Sequence, residues 1–473
     1  MNKSMLVFRN QFAQFKLEKG MMFFYGLSIA MMGIIVPIFM RGVASALTMA
    51  ALLTAIFLKP ILSESLAGER EHRTLETLLS SPMNGKSIIW GKFQFCLFFS
   101  VCFFGLTALC AALTNWLTGD ETALTVWQWI GIILLALFNF SAISIAGVHT
   151  SAKSGDMRVA NSRVSLITYP LGLIFIVYLS VVVIVDFFPA VIISFVFMFI
   201  YLCVILTYAV KIAKMKQSDY YEHIKIKKNK NALESQTSFV TPKSQFGIVF
   251  RFELKYLATL SMLLKSFGKL CCAPAIVCSL TCFTGKLDFN YAVFITLLMI
   301  PRVPTNLIAY SIGGEKVYRT GESLLSTPLH IRSVFLAKCM IPVSVSAVML
   351  IVSSLFTLMG ATIAGWLMPD MAPIHGYNAG QLVLLFPVGI MSSMLMMFIS
   401  AILSVTSKTP RHGLYVTSII SFLFVVPVLA IVYLTNNILT WSVIYSVVLL
   451  IGNAICIGSI SDKITRPQIM SRL

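Results

Sequence analysis

The sequence predicts an all-α integral membrane protein. Of its 473 residues, 58% are hydrophobic and only 11% are charged, whereas a soluble domain carries about 25% charged residues. Much of the chain falls into apolar runs of about 20 residues, the length that a helix needs to cross a bilayer. A bundle of helices satisfies every backbone polar group within its own segments, as the interior of a bilayer requires.

The apolar runs indicate about twelve transmembrane helices. The clearest runs are residues 21–40, 93–113, 130–148, 164–185 and 438–460. Two segments are less regular: residues 42–58, which are followed at once by Lys59 and Pro60, and the stretch around Pro301 and Pro304, which contains Arg302.

The basic residues indicate the orientation of the chain. Its net charge is +18. With the N-terminus inside and alternating spans, every Lys and Arg except Arg41, Lys286 and Arg302 falls on the cytoplasmic side. This is the positive-inside rule, so we expect a multi-pass protein of the plasma membrane with both termini in the cytoplasm. The charge therefore indicates topology and attraction to anionic inner-leaflet lipid, and not binding of nucleic acid.

One segment of the sequence occurs twice. Residues 73–82 (RTLETLLSSP) align without a gap to residues 319–328 (RTGESLLSTP), with seven of the ten positions identical. The same offset matches Lys92 to Lys338. Weaker matches follow in order: Phe8-Arg9 with Phe250-Arg251, Trp116-Leu117 with Trp366-Leu367, and the basic stretch 153–158 with 408–411.

This repetition predicts two parallel six-helix repeats, because an even number of spans brings both copies into the membrane from the same side. The first repeat covers residues 1–210 and the second residues 246–473. Residues 211–245 between them are rich in lysine and are predicted to form a basic cytoplasmic linker.

Each repeat opens with a short amphipathic segment. Met5, Phe8, Phe12 and Phe15 recur at helical spacing between basic residues, and residues 246–265 repeat the pattern. We expect an interfacial helix on the inner side of the membrane in each repeat. A simple juxtamembrane tail is the alternative.

The duplicated loop follows the second span of each repeat and has the pattern of two short helices around a turn. An acid stands four residues before an arginine in both copies, a stabilising arrangement on a helix. A hydroxyl residue followed by proline then stops one helix and caps the next. A plain charged connector would have no reason to keep these features in two copies, so the loop is predicted to engage a partner.

Residues 69–82 (EREHRTLETLLSSP), followed by Trp90-Gly91-Lys92, resemble the signature loop of ABC type-2 exporter permeases. The resemblance implies that the six-span units pair around a central pathway and that each loop is a coupling helix that docks on a separate ATPase. The coupling residues that it implies are Glu69, Arg73, Glu76, Ser81 and Pro82 in the first repeat and Glu315, Arg319, Glu322, Thr327 and Pro328 in the second.

The second loop departs from the family pattern. Val317, Tyr318 and Gly321 replace Glu71, His72 and Leu75. A glycine inside a helix costs about 1 kcal/mol relative to alanine, so the two coupling helices are predicted to be unequal.

The chain lacks the motifs of an enzyme. Residues 84–87 (NGKS) are the stretch nearest to a P-loop, but Ser80 stands where a P-loop needs its first glycine. We therefore expect no catalytic residue, metal or cofactor in this chain, with ATP and magnesium held by two copies of a cytoplasmic ATPase. The cysteines are predicted to be small apolar core residues. A metal site at Cys271, Cys272, Cys278 and Cys282 is the alternative.

Two cations inside predicted spans are functional candidates, because charge is costly in a bilayer. Lys59 lies toward the cytoplasmic end of its span, and snorkelling to the interface is its alternative role. Arg302, between two prolines, is expected to pair with an acid or to line a polar vestibule.

The sequence thus favours the permease subunit of an ATP-binding cassette exporter, which moves an amphiphilic peptide, antimicrobial compound or lipid outward. The choice of cargo comes from the family resemblance alone. An ion-gradient-driven twelve-helix secondary transporter is one alternative, although its spans would be expected to carry more acids. A non-transporting membrane partner of an ATPase is another.

Overall fold

The structure is a computed structural model of the chain, and the residues that it describes form helices joined by short turns, without a strand among them. The described residues are 3–17, 19–35, 37–38, 43–71, 74–75, 78, 84–118, 125–155, 157–182, 187–215, 247, 250–251, 271–272, 274–275, 289–301, 303–305, 307–308, 311–312, 331–367, 376–406, 420 and 424–463.

The chain divides into two compact units, Met1–Ser238 and Phe239–Leu473. Within the described residues, seven helices are long and apolar enough to cross a membrane. They are Gly85–Leu117, Val126–Ala152, Val159–Leu179, Phe188–Ala213, Val334–Ile363, Ala379–Ser404 and Ile438–Gly458. The chain is therefore a membrane-embedded, multi-pass helical protein.

The first unit contains seven described helices. They are α1 (Lys3–Leu17), α2 (Lys19–Ala30), α3 (Val43–Glu71), α4 (Gly85–Thr118), α5 (Val126–Ala152), α6 (Met157–Val182) and α7 (Phe187–Ala213). A π-helical turn, Met31–Ile35, continues α2. The helices extend beyond the apolar runs, because polar residues at the membrane surface still continue a helix. For the same reason α7 reaches three residues into the predicted linker, whose residues from 216 onward lie outside the described ones.

The core of the first unit is built around α3, which packs along α5 and α6. Phe104, Phe140 and Phe175 bring α4, α5 and α6 together in a three-ring cluster with centroids 5.4 to 6.2 Å apart. A Cβ at Gly147 would lie 2.6 Å from a methyl group of Leu62. Glycine at this position therefore lets α5 pack closely on α3 without moving the Leu62 side chain.

Helix α1 packs against α4 through aromatic side chains. Phe8 contacts the rings of Phe95 and Phe98, with centroids 6.3 and 5.7 Å away. At Gly91 the two backbones come so close that a Cβ would lie 2.5 Å from the Ser4 carbonyl oxygen. The amphipathic segment is therefore a helix seated on α4.

The second unit contains the described helices α8 (Phe289–Met299), α9 (Ile331–Leu367), α10 (Ala379–Val383), α11 (Gly389–Thr406) and α12 (Ile438–Lys463). A π-helical turn, Leu384–Val388, joins α10 to α11 and contains Pro387, whose missing N–H interrupts the regular hydrogen bonds. A further apolar helix covers Phe424–Leu434. Buried Val293, Leu297, Leu385, Val428 and Leu449 form the largest described cluster of this unit.

The two ends of the first unit differ in chemistry. The end at which α3 stops and α4 begins, called the loop end, presents exposed Lys86, Lys153 and Lys211. At the opposite end, the side chains of Trp116 and Trp127 are 79% and 65% exposed. Tryptophan is typical of the interface between membrane and water.

Candidate functional site at the hairpin of α3 and α4

Lys92 lies on α4 and its side chain is buried, with 2% exposed. Its ammonium donates hydrogen bonds to the Ser65 carbonyl oxygen and to Oε1 of Glu69, the latter at 3.0 Å. Both partners belong to the last turns of α3. A buried ammonium is stable only with such partners, so Lys92 fixes α4 to α3 at the loop end.

Glu69 also holds the start of the loop. The Thr74 backbone N–H donates to the Glu69 carbonyl oxygen at 2.9 Å, and the Thr74 hydroxyl donates to the Glu69 carboxylate. The Leu78 N–H donates to the Thr74 carbonyl oxygen at 3.0 Å, which begins a helical turn. Leu75 in this turn is buried. One carboxylate thus joins α4 to the first residues of the predicted coupling helix.

Arg70 joins the same end of α3 to α5. Its guanidinium donates to the Ala152 carbonyl oxygen at 3.0 Å and to the carbonyl oxygen of Ser154. These carbonyls lie at the C-terminal end of α5, where a cation interacts favourably with the helix dipole. Arg163 of α6 donates to the neighbouring Lys153 carbonyl oxygen at 3.0 Å.

Ser151 of α5 inserts its hydroxyl into the hydrogen-bond ladder of α3. The hydroxyl accepts from the N–H groups of Leu66 and Ala67 at 3.2 and 3.0 Å, and it donates to the Ser63 carbonyl oxygen at 2.9 Å. A side chain that enters a ladder in this way is a known cause of helix bending. The loop end of α3 is therefore bonded to both α4 and α5.

The second unit has a comparable contact. Lys338 of α9 is buried, and its ammonium donates to the Ser311 hydroxyl at 3.2 Å. Ser311 and Lys338 are 27 residues apart, as are Ser65 and Lys92. Phe250 packs against Val334 and Ala337 near the start of the same helix.

Of the predicted coupling residues, the structure describes the side chain of Glu69. The others lie outside the described residues: Arg73, Glu76, Ser81, Pro82, Glu315, Arg319, Glu322, Thr327 and Pro328. Arg302, one of the two intramembrane candidates, also lies outside them. The other candidate, Lys59, is half-buried, with its Nζ 5.5 Å from the centre of the Tyr169 ring.

The predicted alternative metal site is described in part. The Cys271 thiol is buried and contacts the Met349 carbonyl oxygen at 3.7 Å. Cys278 and Cys282 lie outside the described residues.

Several site residues were not predicted from the sequence. In the sequence, Lys92 is a repeated landmark whose interaction partner is not indicated. Arg70 and Ser151 belong to no pattern that marks them as site residues. Glu69 and Lys92 match Glu315 and Lys338 at the same offset. This match could have indicated that Glu69 and Lys92 interact, because residues that interact tend to be retained together. The predicted topology places Arg70 and Ser151 on the same side of the membrane, but nothing in the sequence indicates that they join α3 to α5.

The chain matches no model of a known protein family, and a search of curated proteins finds no significant match. The assignment of a function therefore rests on the sequence of the duplicated loop and on the chemistry of the residues described above.

Proposed function

We propose that the chain is the transmembrane permease subunit of an ATP-binding cassette exporter, which moves an amphiphilic peptide, antimicrobial compound or lipid outward and docks two copies of a separate cytoplasmic ATPase. The observation that carries the proposal is the chain of bonds from Lys92 through Glu69 to Thr74. These bonds attach the loop with the exporter-like sequence directly to a membrane-spanning helix.

The contacts support a mechanical role for the loop. A partner that pushes on residues 72–84 would displace Glu69, which is bonded to α4 through Lys92. The same displacement would act on α5 through Arg70 and Ser151. Helices are stiff over their length, so movement at the loop end would reach the membrane interior in three helices together.

The proposed architecture is a fused pair of six-helix repeats with twelve spans. Three contacts within the first unit have counterparts in the second at the offsets that the duplication predicts. Lys92 with Ser65 corresponds to Lys338 with Ser311. The contact of Leu62 with Gly147 corresponds to the cluster of Ile308 with Ala401.

The third correspondence is a helix start. The backbone N–H of Thr125 donates to Oε1 of Gln128 at 2.9 Å, and the N–H of Asn378 donates to Oε1 of Gln381 at 2.9 Å. Both are capping boxes at the first turn of a helix. Thr125 and Asn378 are 253 positions apart, between the 250 of the matched Trp116 and Trp366 and the 255 of the matched basic residues at 153 and 408. These correspondences support a common six-helix plan.

The charge distribution supports the proposed orientation, with both termini in the cytoplasm of a plasma-membrane protein. Exposed Lys86, Lys153 and Lys211 lie at the loop end of the first unit. The loop is then on the cytoplasmic side, where an ATPase is available to it.

The test is to co-purify the chain with a cytoplasmic ABC ATPase and to measure ATP hydrolysis and lipid-vesicle transport together. Glu76→Lys and Glu322→Lys are expected to uncouple hydrolysis from transport without unfolding the chain, with a smaller effect at Glu322 because Gly321 weakens that helix. Lys153→Glu, a charge reversal at an exposed position outside the loop, is the control. Normal coupling in the double variant at Glu76 and Glu322 would overturn the assignment of the loops.

The same preparation separates the alternatives. Transport that continues without ATP and follows an ion gradient would identify a secondary transporter. Stable binding of the ATPase without transport of any tested amphiphile would identify a non-transporting membrane partner.

A further inference from the structure

Lys59 places a positive charge far from either end of its helix. It lies twelve residues before the last residue of α3, a distance of about 18 Å at the helical rise. Tyr169 lies twelve residues after the first residue of α6, and the Lys59 Nζ is 5.5 Å from the centre of its ring. The two side chains therefore meet at the same level along the two helices, where both residues are half-buried.

The contact with Tyr169 does not draw the ammonium toward the loop end. Side chains on a helix lean toward its N-terminus, and the N-terminus of α3 is at the opposite end of the helix from residues 72–84. The Ser65 carbonyl oxygen, to which Lys92 is bonded, lies six residues nearer to the loop. The Lys59 charge is therefore deeper than the ion pair of Lys92 and Glu69.

The charge of Lys59 is incompletely compensated within the described part of the chain. Lys92 has a carboxylate and a carbonyl oxygen as partners, whereas the described contact of Lys59 is the ring of Tyr169. The face of an aromatic ring attracts a cation without neutralising it. Lys59 is half-buried, so a further group has access to its side chain. A cation at this depth calls for an anion.

A hydrogen-bond donor lies in the same region. Ser144, Gly147 and Ser151 are three and four residues apart and so share one face of α5. Gly147 and Ser151 of this face contact α3 at Leu62 and at Ser63 to Ala67. Ser144 is one turn farther from the loop end, and the register of Gly147 on Leu62 and of Ser151 on Ser63 to Ala67 places it at the level of Lys59. Its hydroxyl is buried and has no hydrogen-bond partner among the described residues.

We infer that Lys59, Tyr169 and Ser144 form an intramembrane recognition site for the anionic head of an amphiphile, a carboxylate or a phosphate ester. The ammonium and the hydroxyl supply two donors to one anion, and the ring holds the ammonium in place. This assignment rests on the proposed function and narrows its substrate class to acidic amphiphiles.

The test uses the purified full chain in phosphatidylcholine nanodiscs, without an ATPase. Binding of pyrene-dodecanoic acid and of the neutral pyrene-dodecanol is followed by energy transfer from tryptophan. Lys59→Gln is expected to weaken binding of the acid about tenfold and to leave the alcohol unchanged. Lys59→Arg keeps the charge and is expected to bind the acid within about twofold of the unchanged chain. Lys153→Gln, which removes an exposed lysine, is the control.

Ser144→Ala leaves every charge in place and is expected to weaken binding of the acid about threefold. It serves as a second variant if Lys59→Gln does not fold. Competition by dodecyl phosphate and by inorganic phosphate distinguishes an amphiphile site from a site for a free anion. Equal binding of the acid by Lys59→Gln and the unchanged chain, or an equal loss for acid and alcohol, would overturn the site. Because no ATPase is present, the binding measurement can contradict this site while the coupling of hydrolysis to transport is as proposed, and the reverse.

Discussion

The Nζ atom of Lys92 lies 3.0 Å from Oε1 of Glu69, although the two residues are 23 positions apart and belong to different helices. The side chain of Lys92 is 2% exposed and that of Glu69 is 23% exposed. An ion pair with one partner this deeply buried differs from a surface salt bridge, because removing either group leaves the other charge in a poorly solvated place.

Lys92→Met is expected to lower the free energy of unfolding by about 3 kcal/mol, because the Glu69 carboxylate loses its ammonium partner while most of it remains buried. The measurement is titration with sodium dodecyl sulfate, followed by circular dichroism. Lys86→Met, at an exposed lysine on the same helix, is the control and should cost less than about 1 kcal/mol.

A double variant isolates the ion pair itself. The double variant Glu69→Gln Lys92→Met is expected to lose less free energy of unfolding than the two single variants lose together, since the ion pair can be lost only once. Strictly additive losses would show that Lys92 and Glu69 are not coupled.

Ser151→Ala is expected to destabilise the first unit by about 1 to 2 kcal/mol, because the Leu66 and Ala67 N–H groups lose a buried acceptor. The matched control is Ser141→Ala on the same helix, whose exposed hydroxyl bonds within its own turn, to the Leu137 carbonyl oxygen at 2.6 Å. The same titration compares them, and an equal small loss in both would contradict a bridging role for Ser151.

Gly91→Ala is expected to push α1 away from α4, because its new Cβ would lie 2.5 Å from the Ser4 carbonyl oxygen and 2.6 Å from the Val7 Cβ. Overpacking of this kind costs about 1 to 3 kcal/mol. Trypsin cleavage at Arg9 in detergent should become faster. Gly105→Ala is the control on the same helix, since no heavy atom lies within 4 Å of its Cβ position. Unchanged cleavage in Gly91→Ala would show that α1 is not held at Gly91.

The proposed orientation predicts which ends of the helices react with an impermeant maleimide in a cysteine-free chain. Lys86→Cys and Lys153→Cys should be labelled in inside-out vesicles, because the loop end is proposed to face the cytoplasm. Thr118→Cys and Val126→Cys, at the opposite end of α4 and α5, should be labelled in right-side-out vesicles. Labelling of all four positions from one side would exclude the alternation of these spans.

Much of the described helical structure follows from local features of the sequence. The run at residues 130–148 lies within α5, and Gln128, three residues after Thr125, completes the capping box that begins this helix. The ends were less accurately predicted, as α4 begins at Gly85 whereas the apolar run begins at residue 93. Hydropathy marks the part of a helix that lies in lipid, while the helix itself continues through polar residues at the surface.

The membrane class follows from the sequence alone, because hydrophobicity and the spacing of apolar residues are local properties that a single segment carries. The duplicated loop is also visible there, since two copies can be aligned without a structure. The fold was needed to reveal that Lys92 is bonded to Glu69 and Ser65, that Arg70 and Ser151 join α3 to α5, and that Lys59 contacts Tyr169. These contacts depend on how separate helices align and rotate against one another, and that is set by the packing of many side chains at once.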